Sequence, residues 1–90
     1  MKTMTLHKIK LREEFCDAVL NGEKTFEIHF NDRGYQKGDH IRFIPIDAET
    51  FAITIIKHPI EDKEYEITYV LSDWGLQKNY VALAIKEVKQ

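Results

Sequence analysis

The periodicity of this chain changes at Asn21-Gly22, and that switch constrains the fold more than any other feature of its 90 residues. Upstream, Leu11, Phe15, Ala18 and Val19 recur at helical spacing and define one apolar stripe, which predicts a helix over residues 12–21. Glu13 and Glu14 fall in its first turn, where the helix dipole favours negative charge. Gly22 supplies the stop, free to take the left-handed conformation that ends helices. Downstream the period becomes two. Phe26, Ile28 and Phe30 alternate with Thr25, Glu27 and His29, which predicts a strand with a buried apolar face and a solvated polar one. From Asn21 to Asp39 (NGEKTFEIHFNDRGYQKGD) polar groups are also denser than a fold alone requires, so a site is sought there first.

The remaining segments read as sheet. Residues 7–11 form a first strand with His7, Ile9 and Leu11 on one face. After a charged loop over 31–38, a strand spans 40–46, and Pro45 marks an edge or a terminus. Asp47 opens a turn as its Asx residue, and residues 51–57 return to close a hairpin. His58-Pro59 breaks that strand, and the acidic run 61–64 turns the chain. Tyr65, Ile67, Tyr69 and Leu71 share one face of the next strand. Trp74 and Gly75 lie in the following loop, and Val81, Leu83 and Ile85 line the last strand. Five or six strands with one main helix after the first make a single domain over 1–90, α+β and mostly β. So short an antiparallel set removes its open edges best by closing into a small barrel with the helix at one end.

Composition narrows the function classes. No apolar run approaches the ~18–20 residues that span a bilayer, so no membrane partner is expected. The N-terminus has no apolar signal region, and the lone Cys16 excludes an internal disulfide, so a cytoplasmic location is the expectation. A net charge of −2 is not the footprint of a protein held to nucleic acid by bulk electrostatics. A local basic patch requires Lys8, Lys10, Lys24, Arg33 and Arg42 to converge.

Four histidines are scattered without metal-ligand spacing, so neither a metal nor a cofactor is expected. His40 and His58 read as solvent-facing or hydrogen-bonded, while His7 and His29 stay open. Cys16 has Glu13, Glu14 and Asp17 for neighbours. These oppose a thiolate, so it reads as an ordinary helix residue. Glu27 and His29 share a strand face close to Lys24, and a lysine, a carboxylate and an imidazole can bind a polar planar ligand or move a proton. The competing reading is a solvated strand face with a surface ion pair worth under ~1 kcal/mol. Tyr35, Trp74 and Tyr80 fall at loops or strand starts, where they either stack a nucleobase or cap the fold. Arg33 is the best phosphate donor in the chain, unless Asp32 occupies it.

The run Gly22-Glu23-Lys24-Thr25-Phe26-Glu27 after a short helix resembles the GxKxxE signature of ASCH (activating-signal-cointegrator homology) domains, members of the PUA-like superfamily. Within that family it is similar to a subgroup of small bacterial and phage proteins. These begin His-x-Leu-Lys, here His7 to Lys10, and carry segments like Lys24 to Asp39, Tyr69 to Asp73 and Asn79 to Leu83. The resemblance covers roughly residues 6–87. It implies a PUA-like barrel with a cleft beside the helix, lined by Lys24 and Glu27, and RNA-binding or coactivator-type roles. Some small ASCH proteins are amidohydrolases on N4-acetylcytidine, using a lysine and a threonine nucleophile two residues before an arginine. Lys24 matches the lysine, but Glu27 and His29 stand at the other two positions, which removes that nucleophile.

The leading expectation is a module that binds RNA, a nucleotide or a nucleoside through Lys10, Lys24, Glu27, His29, Arg33, Tyr35 and Trp74. The second is an amidohydrolase or deacylase on a modified nucleoside, with Lys24 and Glu27 as its catalytic pair. The third is a protein-interaction module of phage or mobile-element origin.

Overall fold

A hairpin of the last two strands, joined to pairings between strands far apart in the chain, organises the structure. The computed structural model describes residues 3–89. In chain order it contains β1 (Leu6–Arg12), α1 (Glu13–Leu20), β2 (Phe26–Phe30), β3 (His40–Ile46), a 3₁₀ turn (Pro59–Asp62), β4 (Tyr65–Ser72) and β5 (Tyr80–Glu87). These strands form one mixed five-stranded sheet in the order β1-β3-β4-β5-β2. β1 runs parallel to β3, in register from Leu6 opposite His40 to Arg12 opposite Ile46, and the other pairs are antiparallel. The sheet therefore is not the closed antiparallel barrel that strand count predicted, because β1 and β2 are its unpaired edges.

One apolar cluster draws on every element but β2. Ile9 and Leu11 come from β1, Cys16 and Val19 from α1, and Ile41 and Phe43 from β3. Tyr35 joins it from the loop before β3, and Ile60, Tyr65, Ile67, Val81, Leu83 and Ile85 complete it from the second half of the chain. The helix is one turn-step rotated from the predicted stripe. Cys16, not Phe15, points into the core, and Phe15 stays partly exposed. α1 ends as the sequence indicates, with Gly22 at φ 83° and the amide of Asn21 bonded back to Asp17 O at 2.9 Å. With eight residues it is far from long enough to cross a membrane, and no other helix among the described residues is.

β2 departs most from expectation. Its apolar residues Phe26, Ile28 and Phe30 are 48, 52 and 50% exposed, while Glu27 is 5% exposed. Alternation specifies two faces without saying which is inward. Pairing with β5 sets Glu27 beside the fully buried Leu83, and so turns the polar face into the molecule.

Two further departures have local causes. Residues 51–57 form no strand, and only an isolated bridge joins Ile53 to Ile46. Thr54 donates to Pro45 O at 3.1 Å, but Pro45 has no N–H to return the bond, so the ladder stops after one rung. The turn before it forms as the sequence indicates, with Asp47 Oδ1 accepting from the amides of Glu49 and Thr50 at 2.8 and 2.9 Å. In β4 a bulge between Ile67 and Tyr69 shifts the register, so Tyr69 faces solvent and Val70 packs on the core.

Candidate functional site

The inward face of β2 is polar, and its partners come from the helix–strand junction and the loop beyond. Lys24 leaves that junction with its ammonium against Glu27 Oε2, and it also donates to Phe26 O at 2.8 Å. The rings of Phe15 and Phe26 flank the ammonium, with centroids 5.1 and 4.9 Å away. The second carboxylate oxygen of Glu27 lies 3.3 Å from His29 Nε2. Lys24, Glu27 and His29 thus converge, which strict alternation could not establish for Lys24.

The series continues past His29. Its ring lies 6.2 Å from that of Tyr35, which in turn meets the His7 ring edge-on at 4.9 Å. His7 Nε2 lies 2.8 Å from Asp39 Oδ2. Asp39 also accepts from the amides of Gln36 at 3.1 Å and Thr5 at 3.4 Å. Burial alone would raise its carboxyl pKa, but the bonds from His7, Gln36 and Thr5 outweigh burial and hold it below the usual carboxylate range. Burial raises the Tyr35 phenol, against the opposing charge of Arg33, so it is a neutral hydroxyl at ordinary pH.

Loop residues bring the two edge strands together. Arg33 donates to Lys8 O on β1 at 2.6 Å, and the glycines that bracket this bend, Gly34 and Gly38, have φ of 64° and 95°. The result is a recess of about 180 Å³ lined by Ile9 and Lys10 from β1, His29 and Phe30 from β2, and Asp32, Arg33 and Tyr35 from the loop. Its floor is uncharged Tyr35 and half-buried His29, and its rim carries Lys10 and Arg33. On the other side of Glu27, Lys24 lines a separate cavity with Gly22, Thr25, Tyr65 and Glu87.

Of the seven residues named from sequence, Lys10, His29, Arg33 and Tyr35 line the recess, Lys24 lines the separate cavity, and Glu27 links the two groups through its contacts with Lys24 and His29. Trp74 is the exception, largely exposed in the loop after β4 and lining neither cavity. Nor does the full basic patch form. Lys10 and Arg33 share the recess, but Lys24 is paired with Glu27, and Arg42 lies 3.3 Å from Glu64 together with His40. His40 and His58 are hydrogen-bonded as expected, to Glu64 and Asp17.

Sequence reasoning leaves His7 open and overlooks Asp39. The available signal is His7 itself, which alternates with Ile9 and Leu11 on a face that has to be buried. A buried histidine needs a partner, and the partner lies thirty-two residues away. Cys16 is fully buried, and burial with the charges of Asp17, Glu13 and Glu27 pushes its thiol up to about 11, which removes it as a nucleophile.

No curated protein matches the chain. A family model described as a domain of unknown function, DUF3850, covers residues 6–85, from the start of β1 into β5, and the chain belongs to that family.

Proposed function

We propose that the recess between β1 and β2 binds a nucleobase of RNA or of a free nucleotide, with Lys10 and Arg33 meeting phosphate. The observation that carries this reading is the Lys24–Glu27–His29 group on the inward face of β2, with Glu27 buried and its two partners partly so. Burying a charge pair costs several kcal/mol that its mutual attraction repays only partly. Leaving Phe26, Ile28 and Phe30 half exposed forgoes further apolar burial, at roughly 25 cal/mol per Å². A one-residue shift of β2 would reverse both losses. A strand that keeps the less stable arrangement is one whose inward face has another use.

The chemistry of the recess fits a base. The half-buried His29 offers a ring face for stacking beside the buried Tyr35, and the His29 ring nitrogen that Glu27 does not engage is left for a base edge. Arg33 has Nη1 on Lys8 O and Asp32 Oδ1 3.8 Å from its Nε, which leaves Nη2 for a phosphate oxygen. The resemblance to ASCH domains, whose PUA-like barrel has a cleft beside its helix, supports the same reading. With a net charge of −2, affinity rests on these local contacts and not on a long-range field.

An NMR titration with short single-stranded RNAs and nucleoside monophosphates at low salt tests this. Shifts should concentrate at Lys10, His29, Arg33 and Tyr35, and Arg33→Ala should weaken binding across all sequences. No perturbation there at millimolar nucleotide disposes of the proposal.

The Lys24–Glu27 contact also favours a second reading, hydrolysis of an acylated nucleoside such as N4-acetylcytidine. Both oxygens of Glu27 are already engaged, which suits a fixed charge template better than a base that must take a proton from water. Turnover of N4-acetylcytidine that is abolished by Glu27→Gln would move the assignment to catalysis.

A further inference from the structure

We infer that the outer face of β2, β5 and β4 is a self-association surface, and that its occupant is a second copy of this chain. The register lays this face out in rows. Phe26, Ala84 and Tyr69 lie side by side on the three strands, and so do Ile28, Ala82 and Leu71. Phe30 and Tyr80 close the series, with ring centroids 5.6 Å apart. Large side chains on β2 and β4 therefore flank a furrow along β5 that is floored by two alanines.

That relief is complementary to itself. A two-fold axis running along the strands between β2 and β5 seats the Phe26-Ile28-Phe30 ridge of one copy in the Ala82-Ala84 furrow of the other, and the reverse. None of these eight residues is charged, and the next row outward pairs Glu66 with Lys86. A neutral centre inside a charged rim is the composition that separates interfaces from ordinary surface.

The area also suits a dimer. Phe26, Ile28, Phe30 and Tyr69 are each about half exposed. At roughly 200 Å² per side chain they present on the order of 400 Å². That is at the size where an exposed apolar patch on a monomer signals an interaction site. Apolar surface makes up about two thirds of a homodimer interface. The four residues alone thus correspond to roughly 600 Å² per copy, and the partly exposed Leu71 and Tyr80 carry it towards the ~800 Å² of a stable complex. This inference stands apart from the nucleotide-binding reading, because the two faces of β2 serve different ligands.

Sedimentation equilibrium of the full chain, from low to several hundred micromolar, decides it. The expected result is a concentration-dependent mass approaching twice that of the monomer, with Ile28 methyl shifts moving on dilution while those of the buried Ile67 stay fixed. Ile28→Lys and Ala82→Phe should each weaken the dimer at least about tenfold. Ala82→Phe separates the furrow from mere stickiness, because it adds apolar surface and yet fills the groove. A mass that stays monomeric overturns the inference, as does a dimer that Ala82→Phe strengthens. Binding to neutral lipid vesicles by a chain that remains monomeric overturns it as well. Where a variant fails to show a native circular dichroism spectrum, the concentration dependence of the wild-type Ile28 methyl shifts decides alone.

Discussion

Lys24 and Glu27, three residues apart across the start of β2, form an ion pair at the margin of the core, with the ammonium held between the rings of Phe15 and Phe26. Pairing of β2 with β5 turns this ion pair inward and leaves Phe26, Ile28 and Phe30 on the outer face.

Removing only the lysine should expose the cost of the arrangement. Lys24→Ala leaves the Glu27 carboxylate buried with His29 as its sole neighbouring partner, and should destabilise the protein by about 3 kcal/mol. The double variant Lys24→Met, Glu27→Leu should be at least as stable as the wild type while losing the nucleotide-induced shifts. Urea unfolding of both variants, read beside the NMR titration, checks the pair.

The inversion of β2 has a direct mutational signature. Ile28→Thr, on the outer face, should change monomer stability by no more than about 0.5 kcal/mol. Leu83→Ala, at the fully buried position opposite Glu27, should cost about 2–5 kcal/mol. Comparable losses from both, in denaturant melts at low protein concentration, would show that Ile28 is buried.

Cys16 should be unreactive in the native protein. Its thiol is raised to about 11 from an ordinary 9.0, so folding favours the protonated form. Between those values the native state holds more protons than the unfolded one, and stability falls as pH rises from 9 towards 11. Labelling with a thiol-specific disulfide reagent at pH 8 should be slow without denaturant and fast with it, and Cys16→Ala should flatten the alkaline limb of a stability–pH curve.

Tyr65 contributes to the same limb. Its hydroxyl is buried without a hydrogen-bond partner among the described residues, and burial, with Glu87 nearby, pushes the phenol to about 12. Tyr65→Phe removes an unsatisfied polar group and should stabilise the protein by about 1 kcal/mol. Thermal melts at pH 7 test this, and a loss of stability would mean that the hydroxyl has a partner.

Asp39 should govern the acid limb. Its depressed carboxyl contributes stability that is present above the unfolded value of 3.8 and lost as pH falls through the lower native value. Asp39→Asn should shift the acid transition to higher pH and loosen the 33–38 loop, seen as faster hydrogen exchange at the Gln36 amide.

Most element positions are legible in the order of residues alone. β3 spans the residues its pattern marks out, α1 stops at Asn21-Gly22, and β5 buries Val81, Leu83 and Ile85. Local signals decide these: apolar period, a glycine at positive φ, an Asx turn at Asp47. Of the candidate site, Lys24, Glu27, His29, Arg33, Tyr35 and Lys10 are legible as residue types clustered in one segment and its neighbour. Local pattern misplaces Phe15, the 51–57 segment and Tyr69, because each depends on something that pattern does not encode. Phe15 follows how α1 docks on the sheet. The 51–57 segment fails as a strand on a missing N–H at Pro45, and Tyr69 follows a bulge that flips one strand partway along.

By itself the sequence determined the local periods, and with them the kind and approximate limits of most elements, because backbone geometry ties a period of 3.6 or 2 to helix or strand. Only tertiary structure decided which face of β2 is inside, that β1 and β3 run parallel, and that Asp39 meets His7. The reason is symmetry: an alternating strand has two equivalent faces until pairing with another strand makes one of them the core. The Asn21–Asp39 segment is polar wherever it lies, but pairing Glu27 with Leu83 is what turns that polarity inward.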